Sequence, residues 1–289
     1  MEKTAIALGT FDGVHLGHKA VLEAAVNSGI FAVAVAFEIP PKTYFSKEGI
    51  ILTDKEEKTR LIKQTGIKKI DYLDFLKVKD ISAKDFFDYL IKKYAPSLIV
   101  CGYNYSFGKG GQGNTELLEE LCVKNGITLK VIDKVTLDGE AVSSTHIRNL
   151  IKDGNVKKAA LLSGQPFSIS AQVIHGDERG RKIDFPTVNQ LLEKDIATVK
   201  FGVYMSKAII DSKEYYGMTN IGLRPTYPAH SPIMETHFFD FHGNLYDKTL
   251  RIELLDFLRE EKKFSCLNEL KEAITKDKEK IKKLISGEE

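Results

Sequence analysis

The stretch GTFDGVHLGH at residues 9–18 directly follows a short apolar run, AIAL at residues 5–8. The stretch contains three glycines: Gly9, Gly13 and Gly17. The apolar run predicts a strand, and glycines behind it let the backbone turn sharply and approach a ligand closely. His15 and His18 are spaced to lie on one side of the helix that we expect to begin here. Because helix N-termini and imidazole donors attract anions, this stretch predicts a phosphate site.

Two other interpretations of the histidines are weaker. His15 and His18 also fit ordinary turn and cap positions, but the strand before them and the glycines around them are the context that a phosphate site requires. A zinc site would need a third and a fourth ligand at suitable spacing, and the sequence offers none.

The composition is that of a globular protein, and we expect two domains. The chain has 289 residues, of which 43% are hydrophobic and 28% charged. We find no apolar run of membrane-spanning length and no basic-then-apolar leader, so we expect a cytoplasmic protein without a membrane partner.

The net charge of +2 is too small for a general nucleic-acid footprint, so we expect no nucleic-acid partner. The three cysteines are widely spaced and indicate neither disulfides nor zinc. The sequence leaves the oligomeric state open.

The first half alternates apolar runs with helical patterns. The runs at residues 30–37, 96–102 and 129–135 are nearly continuous, which is typical of parallel strands covered on both faces. Between them, residues 55–66 and 83–94 space apolar side chains by three and four. This alternation predicts an α/β domain with a doubly wound parallel sheet.

The second half has a different pattern. Residues 144–164 predict two short helices, and short alternating segments separated by turns follow from Phe167 on. Such segments are typical of an antiparallel barrel or sandwich. Residues 267–285 predict a closing helix. We place the domain boundary near residues 164–166. The two predicted domains are residues 1–164 and 165–289.

Two further segments of the first half carry phosphate-binding chemistry. GYNYSFGKGGQGN at residues 102–114 leaves a predicted strand as a glycine-rich loop with Asn104 near its start. Ligands of open parallel sheets bind at the carboxyl ends of strands. VSSTHIRNLI at residues 142–151 begins a predicted helix, and its candidate phosphate ligands are Ser144, Thr145 and Arg148. The same segment fits an ordinary helix cap followed by an exposed arginine equally well.

These motifs resemble known ones. The H-x-G-H motif behind a strand is similar to the signature of the nucleotidyltransferase superfamily, whose members attack the α-phosphate of ATP and release pyrophosphate. With the two further segments, it resembles the adenylyltransferase half of the prokaryotic bifunctional riboflavin kinase/FAD synthetase family. Four segments of the second half resemble, in order, the motifs of the riboflavin kinase barrel: GRKIDFPTVN (180–189), NIGLRPTY (220–227), METHFFDF (234–241) and LREEKKFSCLNEL (258–270). The resemblance spans nearly the whole chain.

The resemblance implies a Rossmann-like nucleotidyltransferase domain followed by a riboflavin kinase-like barrel. It implies that the second half phosphorylates riboflavin to FMN and that the first half adenylylates FMN to FAD, with ATP and Mg²⁺ in use. An attacking phosphate is already anionic, so catalytic His15 and His18 would neutralise and position charge. The other ATP-binding residues implied for the first half are Gly9, Phe11, Gly13, Gly17, Asn104, Ser144, Thr145 and Arg148.

For the second half, the resemblance implies that Thr187 and Asn189 bind Mg²⁺ and the ATP phosphates, with Gly180 also at the ATP site. Hydroxyl and amide oxygens are hard ligands of the kind that magnesium accepts. Glu235 would be the base, because the riboflavin hydroxyl is a neutral alcohol that must lose a proton. Without the resemblance, Glu235 would be interpreted as a solvent-facing strand residue, and Arg224 fits either a phosphate contact or a turn.

The sequence departs from the family pattern at four positions. Asp184 and Asp247 stand where the family usually has glycine, and each adds a side chain and a negative charge near the expected triphosphate. Such a carboxylate would oppose ATP binding or help to hold magnesium. In the first half, Glu38 replaces a usual aspartate and His146 a common arginine. The adenylyltransferase half is therefore the better preserved.

Three other functions compete with the bifunctional enzyme. The first is an FMN adenylyltransferase with an impaired kinase domain. The second is an adenylyltransferase for phosphopantetheine or a nicotinate nucleotide, which leaves residues 165–289 without a role. The third is a flavin-sensing regulator that binds RNA through the basic run at residues 276–283, which the modest net charge disfavours. The chain is also short for a class I aminoacyl-tRNA synthetase and lacks the lysine-rich partner motif.

Overall fold

The computed structural model describes residues 3–46, 50–176, 185–223 and 232–287. The chain forms two compact units. The first comprises Met1–Ile147 and Leu162–Gly164, and the second comprises Arg148–Leu161 and Gln165–Glu289. Besides the residues from Gln165 on, the second unit therefore includes the short stretch Arg148–Leu161, which precedes the predicted boundary near Gly164.

The first unit contains a five-stranded parallel sheet in the order β3-β2-β1-β4-β5. Its strands are β1 (Thr4–Leu8), β2 (Phe31–Phe37), β3 (Lys69–Leu73), β4 (Pro96–Gly102) and β5 (Thr128–Ile132). The predicted doubly wound α/β domain is confirmed. Because the strands are parallel, the loops that follow β1, β2 and β4 leave neighbouring strands at one edge of the sheet.

Helices cover both faces of this sheet. They are α1 (Leu16–Val26), α2 (Lys55–Gln64), α3 (Phe75–Val78), α4 (Ala83–Tyr94) and α5 (Thr115–Lys124). The side chains of β1 alternate, with Ile6 and Leu8 packing in the core against α4 and α5, and the two alanines of the strand facing α1 and α2. Aspartate and serine caps begin α2 and α4, since the side chains of Asp54 and Ser82 accept backbone N–H bonds.

The sequence analysis missed some elements and overestimated the cover of one. Strand β3 is KIDYL, in which polar residues interrupt the apolar pattern, and β5 lies at the sheet edge with Thr128 exposed. The expectation that β5 is covered on both faces is wrong, because Lys130 and Val131 on this strand are exposed as well. A small hairpin, β6 (Thr136–Leu137) and β7 (Glu140–Ala141), also went unpredicted.

Two helices, α6 (Ser144–Lys152) and α7 (Val156–Ser163), follow the hairpin as predicted, and each has residues in both units. The side chain that accepts the N–H bond at the start of α6 is that of Ser143, whose Oγ lies 3.2 Å from the His146 N–H. Across the described ranges, no helix combines the length and apolar character needed to cross a membrane.

The second unit is a closed six-stranded antiparallel barrel in the order β10-β11-β12-β9-β8-β13. Its strands are β8 (Phe167–Ile174), β9 (Val188–Leu191), β10 (Gly202–Ile210), β11 (Lys213–Leu223), β12 (Pro232–Phe238) and β13 (Thr249–Arg259). The sequence pattern was compatible with either a barrel or a sandwich. The pairing of β10 with β13 closes the sheet into a barrel. Helix α8 (Leu267–Ser286) closes the chain and packs on the outside of the barrel through Ile281.

A buried row of hydroxyls crosses the barrel interior. The Oγ1 of Thr219 lies 2.7 Å from the Ser206 Oγ and 2.8 Å from the Thr236 Oγ1. These three side chains satisfy one another, so they do not carry the cost of buried unpaired polar groups. Since side chains alternate along a strand, Glu235, the neighbour of Thr236, points to the outer face of the barrel.

Candidate active sites

The turn between β1 and α1, residues 9–15, is termed the histidine turn. Three of its residues have positive φ: Phe11 (49°), Gly13 (81°) and Val14 (37°). Phe11 and Val14 are not glycine, and such backbone conformations store strain that the surrounding structure must hold. Gly13 is needed for a second reason, because a Cβ there would lie 2.8 Å from the side chain of Leu52.

The histidine turn and α1 bring the two predicted catalytic histidines together. His15 is the N-cap of α1, and its Nδ1 accepts the His18 N–H at 3.3 Å. The two imidazole rings stack with centroids 3.6 Å apart, and the Phe11 and His18 rings form an edge-to-face pair with centroids 5.4 Å apart. His15 is 6% exposed, and His18 is half-buried. Two imidazoles therefore lie side by side at a helix N-terminus, where an anion is favoured.

Asp12 ties the histidine turn to two other segments. Its Oδ1 accepts the N–H groups of Leu52 at 2.9 Å and Thr53 at 3.4 Å, and its backbone carbonyl accepts the Ser144 hydroxyl at 3.1 Å. The Gly13 N–H in turn donates to Thr53 Oγ1 at 3.1 Å. This role of Asp12 could not be predicted from the sequence, because its partners lie 40 and 132 residues away.

The other residues predicted for the nucleotide site lie on the elements around this turn. Gly9 follows β1 and donates its N–H to the Val35 carbonyl at 3.3 Å, and Asn104 is exposed just after the neighbouring strand β4. Thr145 is exposed in the first turn of α6, and Arg148 follows one turn later in the part of that helix assigned to the second unit. In the structure, Gly9, His15 and Ser144 thus lie in or next to the histidine turn.

An aromatic cluster lies at the same edge of the sheet, and the sequence analysis missed it. Phe75 is its centre, with ring centroids 6.0 Å from Phe37, 5.3 Å from Tyr44 and 6.1 Å from Phe45. Phe45 is 78% exposed, which is unusual for a phenylalanine. The signal in the sequence was the pair Tyr44 and Phe45 in a proline-rich loop behind β2, where no core strand follows.

The second unit aligns polar side chains on neighbouring strands. Asn189 on β9 and Asn220 on β11 are the cross-strand partners of Glu235 on β12, one on each side. Directly opposed residues share a face of the sheet, so Glu235 shares the outer face of the barrel with Asn189 and Asn220, whose Nδ2 donates to Glu261 Oε1 at 3.3 Å. Thr187 lies two positions before Asn189, just ahead of β9.

Asn189 is held in a tight recess. It is 7% exposed, and a Cβ at Gly176 would lie 2.3 Å from its Nδ2, so only glycine permits this approach. Asp247 has a φ of 65°, and its N–H donates to the Val173 carbonyl at 3.1 Å, so the turn before β13 accommodates aspartate in a left-handed conformation. Gly180, Asp184 and Arg224 lie outside the described residues.

Comparisons with known proteins cover both units. A family model for FAD synthetase matches residues 1–146, and one for riboflavin kinase matches residues 163–285. The bifunctional riboflavin kinase/FMN adenylyltransferase of Bacillus subtilis (strain 168) is 34% identical over 297 residues, covering 99% of this chain and 93% of its own. The protein of the same name from Escherichia coli (strain K12) is 32% identical over 285 residues, covering 96% and 91%.

A solved structure extends the similarity to the fold of the full chain. It is described as a macrolide-efflux protein from Streptococcus pneumoniae, with a TM-score of 0.86 and 29% identity over 96% of this chain and 93% of that one. The chain therefore carries an FAD synthetase domain and a riboflavin kinase domain, and it belongs to the bifunctional riboflavin kinase/FMN adenylyltransferase family.

Proposed function

We propose that the first unit transfers the adenylyl group of ATP to FMN. A phosphate oxygen of FMN attacks the α-phosphorus of ATP, the bond from that phosphorus to the bridging oxygen of the β-phosphate breaks, and FAD and pyrophosphate form. The observation that carries this proposal is the stacked pair of His15 and His18 at the N-terminus of α1. Imidazole N–H donors and helix N–H groups stabilise the charge that gathers on the α-phosphate oxygens.

The aromatic cluster supports a flavin as the acceptor. An isoalloxazine ring is large and flat, and exposed aromatic rings offer it offset-stacked or edge-to-face contacts. Tyr44 and Phe45 lie behind β2, which is the neighbour of β1 in the sheet. We propose that the cluster binds the flavin ring while the histidine turn, with Gly9, Phe11, Gly13, Gly17, Asn104, Ser144, Thr145 and Arg148, binds ATP.

We propose that the second unit phosphorylates riboflavin. Glu235 accepts the proton of the riboflavin 5′-hydroxyl as its oxygen attacks the γ-phosphorus of ATP, and ADP leaves. The register that places Glu235 beside Asn189 supports this role, because it brings the proposed base next to a proposed Mg²⁺ ligand on the neighbouring strand.

The residues at this alignment fit a magnesium ion. Thr187 and Asn189 supply a hydroxyl and an amide oxygen, which are hard ligands, and the close approach of Gly176 fixes the position of the Asn189 amide. When bound, Mg²⁺ would neutralise charge on the ATP phosphates. Gly180 is proposed for the same ATP site on the resemblance of its motif.

Asp247 favours a second candidate function, an FMN adenylyltransferase with an impaired kinase. This aspartate occupies a left-handed turn position where the family usually has glycine, and it adds a negative charge to the turn that leads into β13. A carboxylate close to a triphosphate would weaken ATP binding.

Product analysis on the full chain separates these functions. We expect the wild type with ATP and Mg²⁺ to convert riboflavin to FMN and FMN to FAD. His15→Ala removes FAD formation and keeps FMN formation, whereas Glu235→Ala does the reverse. A wild type that forms FAD but no FMN would indicate the impaired kinase. Loss of both products from either substitution in a folded protein would contradict separate sites.

A further inference from the structure

Lys58 is a lysine whose side chain is completely buried. It lies on α2 with 0% exposure, on the face of the helix that also carries the core residues Leu61 and Ile62. Removing an ammonium group from water is strongly unfavourable unless hydrogen bonds and opposite charges compensate for the loss of hydration. A lysine in this position therefore requires specific partners.

The first partners are two backbone carbonyls at the exit of β2. The Nζ of Lys58 donates to the carbonyl oxygen of Phe37 at 2.9 Å and to that of Glu38 at 3.1 Å. Here the chain leaves the sheet and continues to Tyr44 and Phe45 of the aromatic cluster. Lys58 thus fixes the direction in which this segment departs.

The second partner is the charge of Asp12 in the histidine turn. Burial lowers the pKa of Lys58 from its ordinary value, and the negative charges of Asp12, Glu38 and Asp54 oppose this shift, with Asp12 acting most strongly. Asp12 is itself 1% exposed, so little water screens the attraction. Hydrogen bonds thus hold the buried ammonium at the exit of β2, and the charge of Asp12 attracts it from the histidine turn.

Resting on the proposed adenylyl transfer, we infer that Lys58 is a positioning residue for this reaction. Its ammonium holds the histidine turn and the segment leading to the aromatic cluster in the arrangement that brings the FMN phosphate in line with the α-phosphorus of ATP. Lys58 does not touch either substrate, because its side chain has no exposed surface. Its effect therefore falls on the rate of the bound complex rather than on the binding of either substrate.

If Lys58 positions the reacting groups, its replacement should lower kcat for FAD formation and leave KM for both substrates nearly unchanged. In the full chain, Lys58→Met keeps the length of the side chain and removes its charge. We expect kcat for FAD formation to fall about 10- to 100-fold, as an ångström-scale misplacement of reacting groups does. We expect KM for ATP and for FMN to stay within about threefold. The matched control is Lys63→Met, an exposed lysine on the same helix, which leaves both constants unchanged.

Asp12→Asn is the second variant, chosen because it keeps the Oδ1 that accepts the Leu52 and Thr53 N–H groups and removes only the charge. We expect the same loss of kcat, and we expect the double variant to fall well short of the product of the two single losses, because both changes disrupt one interaction.

Three results would contradict the positioning role of Lys58. A folded Lys58→Met protein with kcat within twofold of the wild type overturns the inference, while its retained FAD formation shows that the proposed adenylyl transfer stands. If Lys58→Met does not fold, an unchanged kcat in Asp12→Asn has the same meaning. A wild type that forms no FAD from FMN overturns the proposed function and the inference with it.

Discussion

At the scale of single residues, His237 shows how the barrel sets the protonation of a side chain. Its ring lies on β12, with Nδ1 2.8 Å from the Pro186 carbonyl and the edge of Phe185 5.2 Å away. Burial lowers the pKa of His237 below its ordinary value of 6.5, and the Pro186 carbonyl offsets part of this effect. The folded barrel therefore holds this histidine in its neutral form.

The lowered pKa of His237 predicts an acid-sensitive barrel. The folded state binds the proton more weakly than the unfolded chain, so protonation favours unfolding. The contribution is complete above pH 6.5 and is lost as the pH falls below 6.5 toward the lower pKa of the folded state, at up to about 1.4 kcal/mol per pH unit. We expect His237→Gln to reduce the slope of unfolding free energy against pH between 7 and 5, measured by urea denaturation.

The exposed His242 provides the control for this experiment, since His242→Gln changes a ring that water already surrounds. An unchanged pH slope in His237→Gln would show that other groups cause the acid sensitivity of the barrel.

At the scale of elements, α1 depends on the same side chain that is proposed to act on ATP. His15 caps the helix through the His18 N–H, and the strained backbone of residues 11–14 places the cap against the first turn. Stability and catalysis therefore share one residue, and a loss of activity on replacing His15 has two explanations that need separating.

Two substitutions separate the cap from the chemistry. His15→Ala removes the acceptor, and we expect a loss of about 1 kcal/mol in unfolding free energy together with loss of FAD formation. His15→Asn supplies an amide oxygen that caps helices well, so we expect most of the stability to return while FAD formation stays absent. Urea denaturation and a product assay on the same preparations measure both. Recovery of FAD formation in the asparagine variant would reduce His15 to a capping residue.

At the scale of the whole molecule, the two units have separate cores, and α8 belongs to the second. The Asp277 carboxylate on α8 accepts the Arg259 Nε at 2.9 Å, and the Arg259 guanidinium Nη2 lies 2.8 Å from the same oxygen. Asp277 is 7% exposed, so this pair is far better shielded from water than an ordinary surface ion pair. It fixes the last helix to the end of β13.

Breaking this pair should affect one unit and spare the other. We expect Asp277→Ala to lower the unfolding free energy of the second unit by about 2 kcal/mol, because a charged hydrogen-bonded group loses its partner. FAD formation by the first unit should not change. The control is Glu260→Ala, whose carboxylate lies 3.0 Å from the Lys200 Nζ but is 74% exposed, and we expect about 0.5 kcal/mol or less. Equal effects of the two substitutions would contradict the role of burial.

The sequence by itself determined the class of each domain, most of the helices and strands, and the family. Apolar runs, helical spacing and capping residues are local features, so strands such as β2 and β4 and helices such as α4 followed from short windows of sequence. Strand β3 did not, because its five residues, KIDYL, lack the continuous apolar run of the central strands and its place comes from pairing with β2. The motif residues were proposed from the sequence, and their roles stay predictions.

The tertiary structure alone decided which distant residues meet. Closure of the barrel depends on the pairing of β10 with β13, and the alignment of Glu235 between Asn189 and Asn220 depends on strand register. The sequence does not distinguish Lys58 from its neighbours, because the charged sequence of α2 also fits a solvent-exposed helix. Its burial follows from carbonyls of β2 and a carboxylate 46 residues before it in the chain, and such long-range compensation of charge leaves no local pattern.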